Sequence, residues 1–282
     1  MTSLAEFIYT TVLRPAPLRR LTNAMILATL PKTVRVGPAT IHINPSDPVL
    51  SGALALRVFE RQEIKYFSSI CRPSMTFLDV GANVGLYTAL AMHLCPGGRV
   101  ISIEPHSESR EYLRRNIAAN SAEGNAQVSV FGCAASDREG TGQLYVNLDN
   151  KADSRIYLSE AATKGHTLEV PIRTVDSIFA ELSLSSVDLL KIDVQGSELQ
   201  AIEGASKTIR NSPGMILISE FWPEGIRKAS GRDARDYVEL LNDLGFDLFE
   251  LRGGSREPLD PNWATRLTGR RYANLIGVRR SQ

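Results

Sequence analysis

A chain of 282 residues, 43% apolar and 22% charged, can bury one large α/β core or two modest ones and is too apolar for a disordered or fibrous protein. Its 32 Lys and Arg stand against 31 Asp and Glu, and the net charge of +1 supplies no global field for a nucleic-acid backbone or an anionic bilayer. Cys71, Cys95 and Cys133 are odd in number and widely spaced, which suits a reducing compartment better than a disulfide framework, and none of the four histidines is paired at zinc-binding helical spacing. No apolar run reaches the eighteen or so residues of a membrane span, and no basic patch precedes a greasy N-terminal segment, so the expectation is a soluble, cytoplasmic protein.

In chain order, residues 18–30 (LRRLTNAMILATL) predict an amphipathic helix ended by Pro31, residues 40–44 (TIHIN) alternate with period two, and residues 54–70 predict one long helix. Residues 1–60 read as an appendage to a domain spanning 61–282. From there apolar runs alternate with helical patterns, the mark of a mostly parallel sheet with helices on both faces. The predicted strands are Thr76–Val80, 99–104, 127–133, 187–194 and 215–220, and Leu86, Leu90 and Leu94 mark one helical stripe. Residues 140–148 and 166–173 alternate apolar and polar, which predicts an antiparallel insertion. A charged helix over 233–244, a C-cap at Gly245 and strands over 246–251 and 273–278 complete the chain.

The segment TFLDVGANVGLY (residues 76–87) runs an apolar strand into a loop with Gly81 and Gly85 and then a helix, so that small residues admit a ligand and the helix start offers free N–H groups. The spacing is Asp79-x-Gly81-x-Asn83-x-Gly85 rather than the dinucleotide G-x-G-x-x-G. Asp79 would repel a diphosphate and hold a cationic ligand. Glu104 ends the next strand, in the position from which a carboxylate accepts both ribose hydroxyls of a nucleotide. NAD would satisfy Glu104 alone; S-adenosylmethionine, with its ammonium and sulfonium, explains both acids.

LDVGANVGLYT, GGRVISIEPHSES, LRRNIAAN, VDLLKIDVQGSELQAIEGA and ILISEFWP, in that order, together resemble the FkbM family of S-adenosylmethionine-dependent methyltransferases. The resemblance implies the class I methyltransferase Rossmann-like fold, with a seven-stranded sheet whose last strand is antiparallel, and O-methylation of a sugar, glycolipid or secondary metabolite. It implies that Asp79, Gly81, Asn83 and Gly85 surround the methionine part of the cofactor, that Glu104 holds its ribose and that Ala134 or Asp137 meets its adenine. It puts Asp193 beside the cofactor, with Gly196 turning the backbone into a helix begun by Glu198. Members usually carry Glu where this chain has Gln195, so no acid role is carried over there.

Methyl transfer from a sulfonium requires an acceptor oxygen held in line with the S–CH3 bond and a destination for its proton. Asp193 is the first candidate for that acid, Glu220 the second, and Lys191 shares a strand face with Asp193 and can pair with it. His106 reads as an exposed residue near a helix start, and Trp222 either stacks a sugar or packs in the core. The polar insertion, with Asn147, Asp149, Asn150, Asp153, Ser154 and Arg155, is placed to select the acceptor. No metal site is assigned, a divalent cation remaining open. The partner is a hydroxylated small molecule or glycan. Two other readings stand beside the enzyme: a cofactor- or partner-binding module without catalysis, and an NAD-dependent oxidoreductase.

Overall fold

The computed structural model describes residues 31–56, 58–147, 154–156, 166–259, 263, 267 and 271–280. The helix expected over residues 18–30, and Asp149, Asn150 and Asp153 of the insertion, lie outside them.

The described chain opens with a hairpin of β1 (Thr33–Val36) and β2 (Ala39–His42), followed by helices α1 (Pro48–Ala55) and α2 (Arg61–Ile70). The single helix expected over residues 54–70 is therefore two. Between them Glu60 takes φ 41°, left-handed backbone that a non-glycine residue adopts only under tertiary constraint. The turn contains no Gly or Pro, so apolar periodicity ran through it unmarked.

Then come β3 (Thr76–Val80), α3 (Leu86–Leu94), β4 (Arg99–Ile103), α4 (Ser107–Asn120) and β5 (Gln127–Phe131). The insertion follows as β6 (Ala134–Ala135), β7 (Gly140–Val146) and β8 (His166–Arg173), and after it α5 (Val175–Glu181), β9 (Leu189–Ile192), α6 (Glu198–Glu203), α7 (Ser206–Arg210) and β10 (Ile216–Phe221). The last elements are α8 (Pro223–Ser230), α9 (Arg235–Asp243), β11 (Phe246–Arg252), β12 (Ser255–Pro258) and β13 (Ala273–Arg279).

The main sheet has the order β12-β11-β13-β10-β9-β3-β4-β5. Strands β5, β4, β3, β9 and β10 pair in parallel, and β13 enters antiparallel between β10 and β11. This is the class I methyltransferase arrangement with an eighth strand, β12, hairpinned onto the edge, so the expected count of seven is corrected. β12 is the polar SREP, exposed along its length, and offers no apolar pattern to read. The insertion is a separate three-stranded sheet, β6-β8-β7, in which β7 and β8 pair antiparallel as their alternation predicts.

Alternate residues of the central strands feed two cores. Leu78, Val80, Ile101, Ile103, Leu190 and Ile192 face one side; Phe77, Val100 and Leu189 face the other, with Leu90 of α3. Ala39 and Ile41 of the hairpin join that second core fully buried. Polar pairing fixes the hairpin too: Asn120 Oδ1 accepts the Thr40 N–H at 2.8 Å and Asn116 Oδ1 the His42 N–H at 2.7 Å. One turn apart on α4, the two asparagines give β2 partners along an edge that would otherwise be bare. Among the described residues no helix is long and apolar enough to cross a membrane.

Candidate active site

Strand β3 hands the chain outward to β4 on one side, while β9 pairs on its other side. The crevice at the carboxyl ends of β3, β4, β9 and β10 is the topological switch point where open α/β sheets bind ligands. A cavity of about 290 Å³ lies there, lined by the glycine loop, Glu104 and Pro105 after β4, Ala134 and Ala135, and Lys191, Asp193 and Glu220. Leu144, Ser154 and Ile156 of the insertion close one wall, so the insertion does reach the site.

Gly81 (φ 81°) and Gly85 (φ 82°) hold the loop in backbone that a Cβ would strain, and a Cβ on Gly81 would overlap the Asp193 carbonyl oxygen. The loop is tied down by Gly81 and Ala82 N–H groups donating to Ile103 O at 3.0 and 3.1 Å, and by Asp193 N–H donating to Val80 O at 3.0 Å. Glu104 accepts the Asn83 N–H at 2.8 Å on one oxygen and the His106 N–H at 2.8 Å on the other. Burial nevertheless pushes its carboxyl up to about 7, against those two hydrogen bonds.

Asp79 sits directly opposite Lys191 in the β3–β9 register, is 1% exposed, and accepts the Thr88 hydroxyl at 2.7 Å. It lines the cavity, but its charge is answered inside the protein. Lys191, also buried, places Nζ 3.4 Å from Asp193 Oδ2 and 4.6 Å from the centroid of the Tyr87 ring. Burial disfavours its ammonium, and Asp193, Glu60, Asp79 and Glu220 together more than reverse that, so it stays charged.

Gln195, in left-handed backbone at φ 54°, donates through Nε2 to Asp193 Oδ1 at 2.7 Å and Glu220 Oε2 at 3.0 Å. It bridges two acids where another acid would repel them. Burial, with Asp193 and Glu198 nearby, pushes the Glu220 carboxyl well up. Asp193, Glu198 and Glu220 bring oxygens within 4.8 Å of one another, close enough to share a cation. The chain's own donors serve part of this set: Glu198 Oε1 accepts Val194 N–H and Gly196 N–H at 3.0 and 3.2 Å, while its Oε2 is buried without a hydrogen-bond partner among the described residues, and no metal ligand is assigned.

Other expected residues are placed differently. Asp137 is outside the cavity lining and bonds Ser136 and Arg138. His106 does stand at the N-cap of α4 but is buried rather than exposed, with Nδ1 3.1 Å from the Ser109 hydroxyl. Trp222 is a buried core residue with the Arg155 guanidinium 4.5 Å from its ring centroid, and it lies outside the cavity lining. Glu60, Tyr87 and Tyr272 line the cavity and were not anticipated.

A second cavity of about 670 Å³ opens beside the first, between α2 and the ends of β9, β10 and β13. Glu60, Lys191, Asp193, Glu220 and Tyr272 line both, and the charged groups among them form the seam where the two spaces meet.

The buried acids set a pH dependence. Burial raises Glu104 and Glu198 from an ordinary 4.5 to about 7 in the folded state. Between those values the native protein binds more protons than the unfolded chain, so stability falls as pH rises through this window. The ligand-free protein is expected to melt higher at pH 5.5 than at pH 8, by on the order of 5 °C, in differential scanning calorimetry. Glu198→Gln should shrink the difference; equal melting at both pH values would count against buried, proton-hungry carboxyls.

The chain is similar to several known proteins. The chain is 29% identical over 253 residues to the AMB antimetabolite synthetase AmbE of Pseudomonas aeruginosa, covering 78% of this chain and only 11% of the synthetase. It is 25% identical over 204 residues to methyltransferase sdnD of Sordaria araneosa, covering 62% of this chain and 75% of that one. It is 26% identical over 160 residues to the 31-O-demethyl-FK506 methyltransferase FkbM of Streptomyces tacrolimicus, covering 47% and 60%. The Methyltransferase FkbM domain matches residues 79–248, from the acid of the glycine-loop strand to the middle of β11. With that match running over more than half of its length, the chain belongs to the FkbM methyltransferase family.

Proposed function

We propose that this protein transfers the methyl group of S-adenosylmethionine to a hydroxyl of a small molecule or glycan. The observation that carries the reading is the seam: a cavity of about 290 Å³ lined by the glycine loop and Glu104 meets a second, polar cavity at four charged side chains. The donor set fits the cofactor, because Glu60, Asp193 and Glu220 line the seam beside Lys191, and the carboxyls that burial pushes up can ionise opposite a ligand that brings ammonium and sulfonium groups. Bound there, the cofactor supplies an electrophilic methyl group.

The chain's residues then have separable tasks. Glu104 receives the ribose hydroxyls with the lone pairs its two backbone hydrogen bonds leave, and the glycine loop lets the backbone approach. Ala134, Leu144 and Ile156 give an apolar wall for the adenine. Lys191 and Gln195 hold Asp193 and Glu220 in place, and the second cavity receives the acceptor. The preference for oxygen follows the relative named as a 31-O-demethyl-FK506 methyltransferase.

Calorimetric titration is expected to show binding of S-adenosylmethionine and S-adenosylhomocysteine and none of NAD, with Glu104→Ala weakening the first two by about tenfold or more. Incubation with methyl-labelled cofactor and a panel of polyhydroxylated acceptors is expected to label one class. Cofactor binding without any labelling would favour a binding module, and NAD binding in place of both ligands an oxidoreductase.

A further inference from the structure

Glu60 lies outside the matched domain, in the turn between α1 and α2, and nothing in the family motifs points to it. Its backbone is held at φ 41°, and although it occupies the N-cap position of α2, its side chain makes no capping bond. A residue in that position normally turns its carboxylate onto its own helix. This one is turned away, toward the sheet, and accepts the Tyr87 hydroxyl at 2.6 Å. The left-handed turn is the cost of that orientation.

Asp193, held by Lys191 and Gln195, is the most committed acid of the seam. Glu220 and Glu60 each receive one side-chain hydrogen bond on one oxygen, from Gln195 and Tyr87, and Glu60 is the one of the three outside the Gln195 bridge. It faces Tyr87 from α3, Lys191 and Asp193 from the end of β9, and Glu63 from its own helix, and it acts in turn on Glu220 and Tyr272. A methyl group passing from a ligand in the first cavity to one in the second must cross the seam that Glu60 lines on both sides.

We propose that Glu60 is the charge-matching carboxylate of methyl transfer, ionised opposite the sulfonium of the bound cofactor and receiving the acceptor's proton as that charge is lost. This rests on the cofactor reading given above. The carboxylate takes the hydroxyl proton as the acceptor oxygen forms its bond to the methyl carbon, while the carbon–sulfur electron pair stays with sulfur. One negative and one positive charge vanish together, so the half-buried seam never holds an unbalanced charge. Burial pushes the Glu60 carboxyl up to about 7, with Lys191 and the Tyr87 hydrogen bond opposing and Asp193 and Glu63 reinforcing, so near neutral pH it can exist in either form.

The test needs no knowledge of the acceptor. S-adenosylmethionine and S-adenosylhomocysteine share the ribose, adenine and amino-acid groups, so Glu104 responds alike to both, and they differ in the sulfonium. Calorimetry in buffers of different ionisation enthalpy should show more proton release on binding the first than the second near pH 7. A one-unit drop in the Glu60 pKa, from about 7, makes the affinity ratio of the two ligands rise about fivefold between pH 6 and pH 8. Glu60→Gln, which keeps an acceptor for Tyr87, should hold that ratio constant within about twofold and leave S-adenosylhomocysteine affinity unchanged. Tyr87→Phe should move the midpoint of the excess proton release to higher pH. Equal loss of affinity for both ligands in Glu60→Gln, or a ratio and proton release unchanged from wild type in both variants, would overturn the proposal. Failure of the folded wild type to bind either ligand would instead overturn the cofactor reading, and this proposal with it.

Discussion

Gly81→Ala is expected to destabilise the protein by about 3 kcal/mol or more and to abolish cofactor binding. The residue sits at φ 81°, where an alanine is strained by about 1 kcal/mol on conformational grounds alone. The larger part comes from the neighbour its Cβ would overlap, the carbonyl oxygen of Asp193, which is backbone and has no rotamer to yield. Relief requires the ends of β3 and β9 to part, which loosens the Asp193 N–H bond to Val80 O and moves the acid that lines both cavities. Gly245→Ala is the control. Its φ of 86° imposes the same conformational strain, but no atom lies within 4 Å of the added carbon, so about 1 kcal/mol is expected. Denaturant midpoints for the two variants, measured together, separate strain from collision; equal losses would remove the steric argument.

Lys191→Met should cost about 3–5 kcal/mol at pH 8 and distinctly less at pH 5.5. Methionine keeps the length of the side chain and its packing beside Tyr87, and removes the charge that answers Asp79, Asp193, Glu60 and Glu220. Without it, the folded-state pKa of Glu60, already raised to about 7, and that of Glu220, already well up, rise further above the unfolded value of 4.5. The native variant then holds protons more tightly than the unfolded chain, so its stability falls as pH rises toward those values. Thermal melts of wild type and variant at both pH values check the sign, and an equal deficit at both would show that Lys191 contributes packing rather than charge.

The strand Thr76–Val80, the glycine loop and the acid Glu104 were legible because each has a local cause: a short apolar run, a backbone that needs φ above zero, a carboxylate closing a strand. The alternation of residues 166–173 marked β8 to its ends, and Gly245 follows α9 in left-handed backbone as a C-cap should. The turn that splits α1 from α2 was not legible, since Glu60 adopts its backbone under the pull of Tyr87 from a different element, 27 residues on. Nor was β12, whose three polar residues and proline pair only because β11 presents an edge. Gln195 stood out as a departure from the family pattern, yet its bridge depends on Glu220, 25 positions further along the chain on β10.

By itself, then, the sequence determined the layer order of the fold, the glycine loop at the end of β3 and the family to which the chain belongs. Those follow from periodicity, glycine placement and acids at strand ends, which act over a few residues. Only the tertiary structure decided which acids are answered internally and which face a ligand. The charge state of a buried carboxylate depends on burial and on neighbours within a few ångströms. The fold draws those neighbours from segments as distant in the chain as Glu60, Asp79, Lys191 and Glu220.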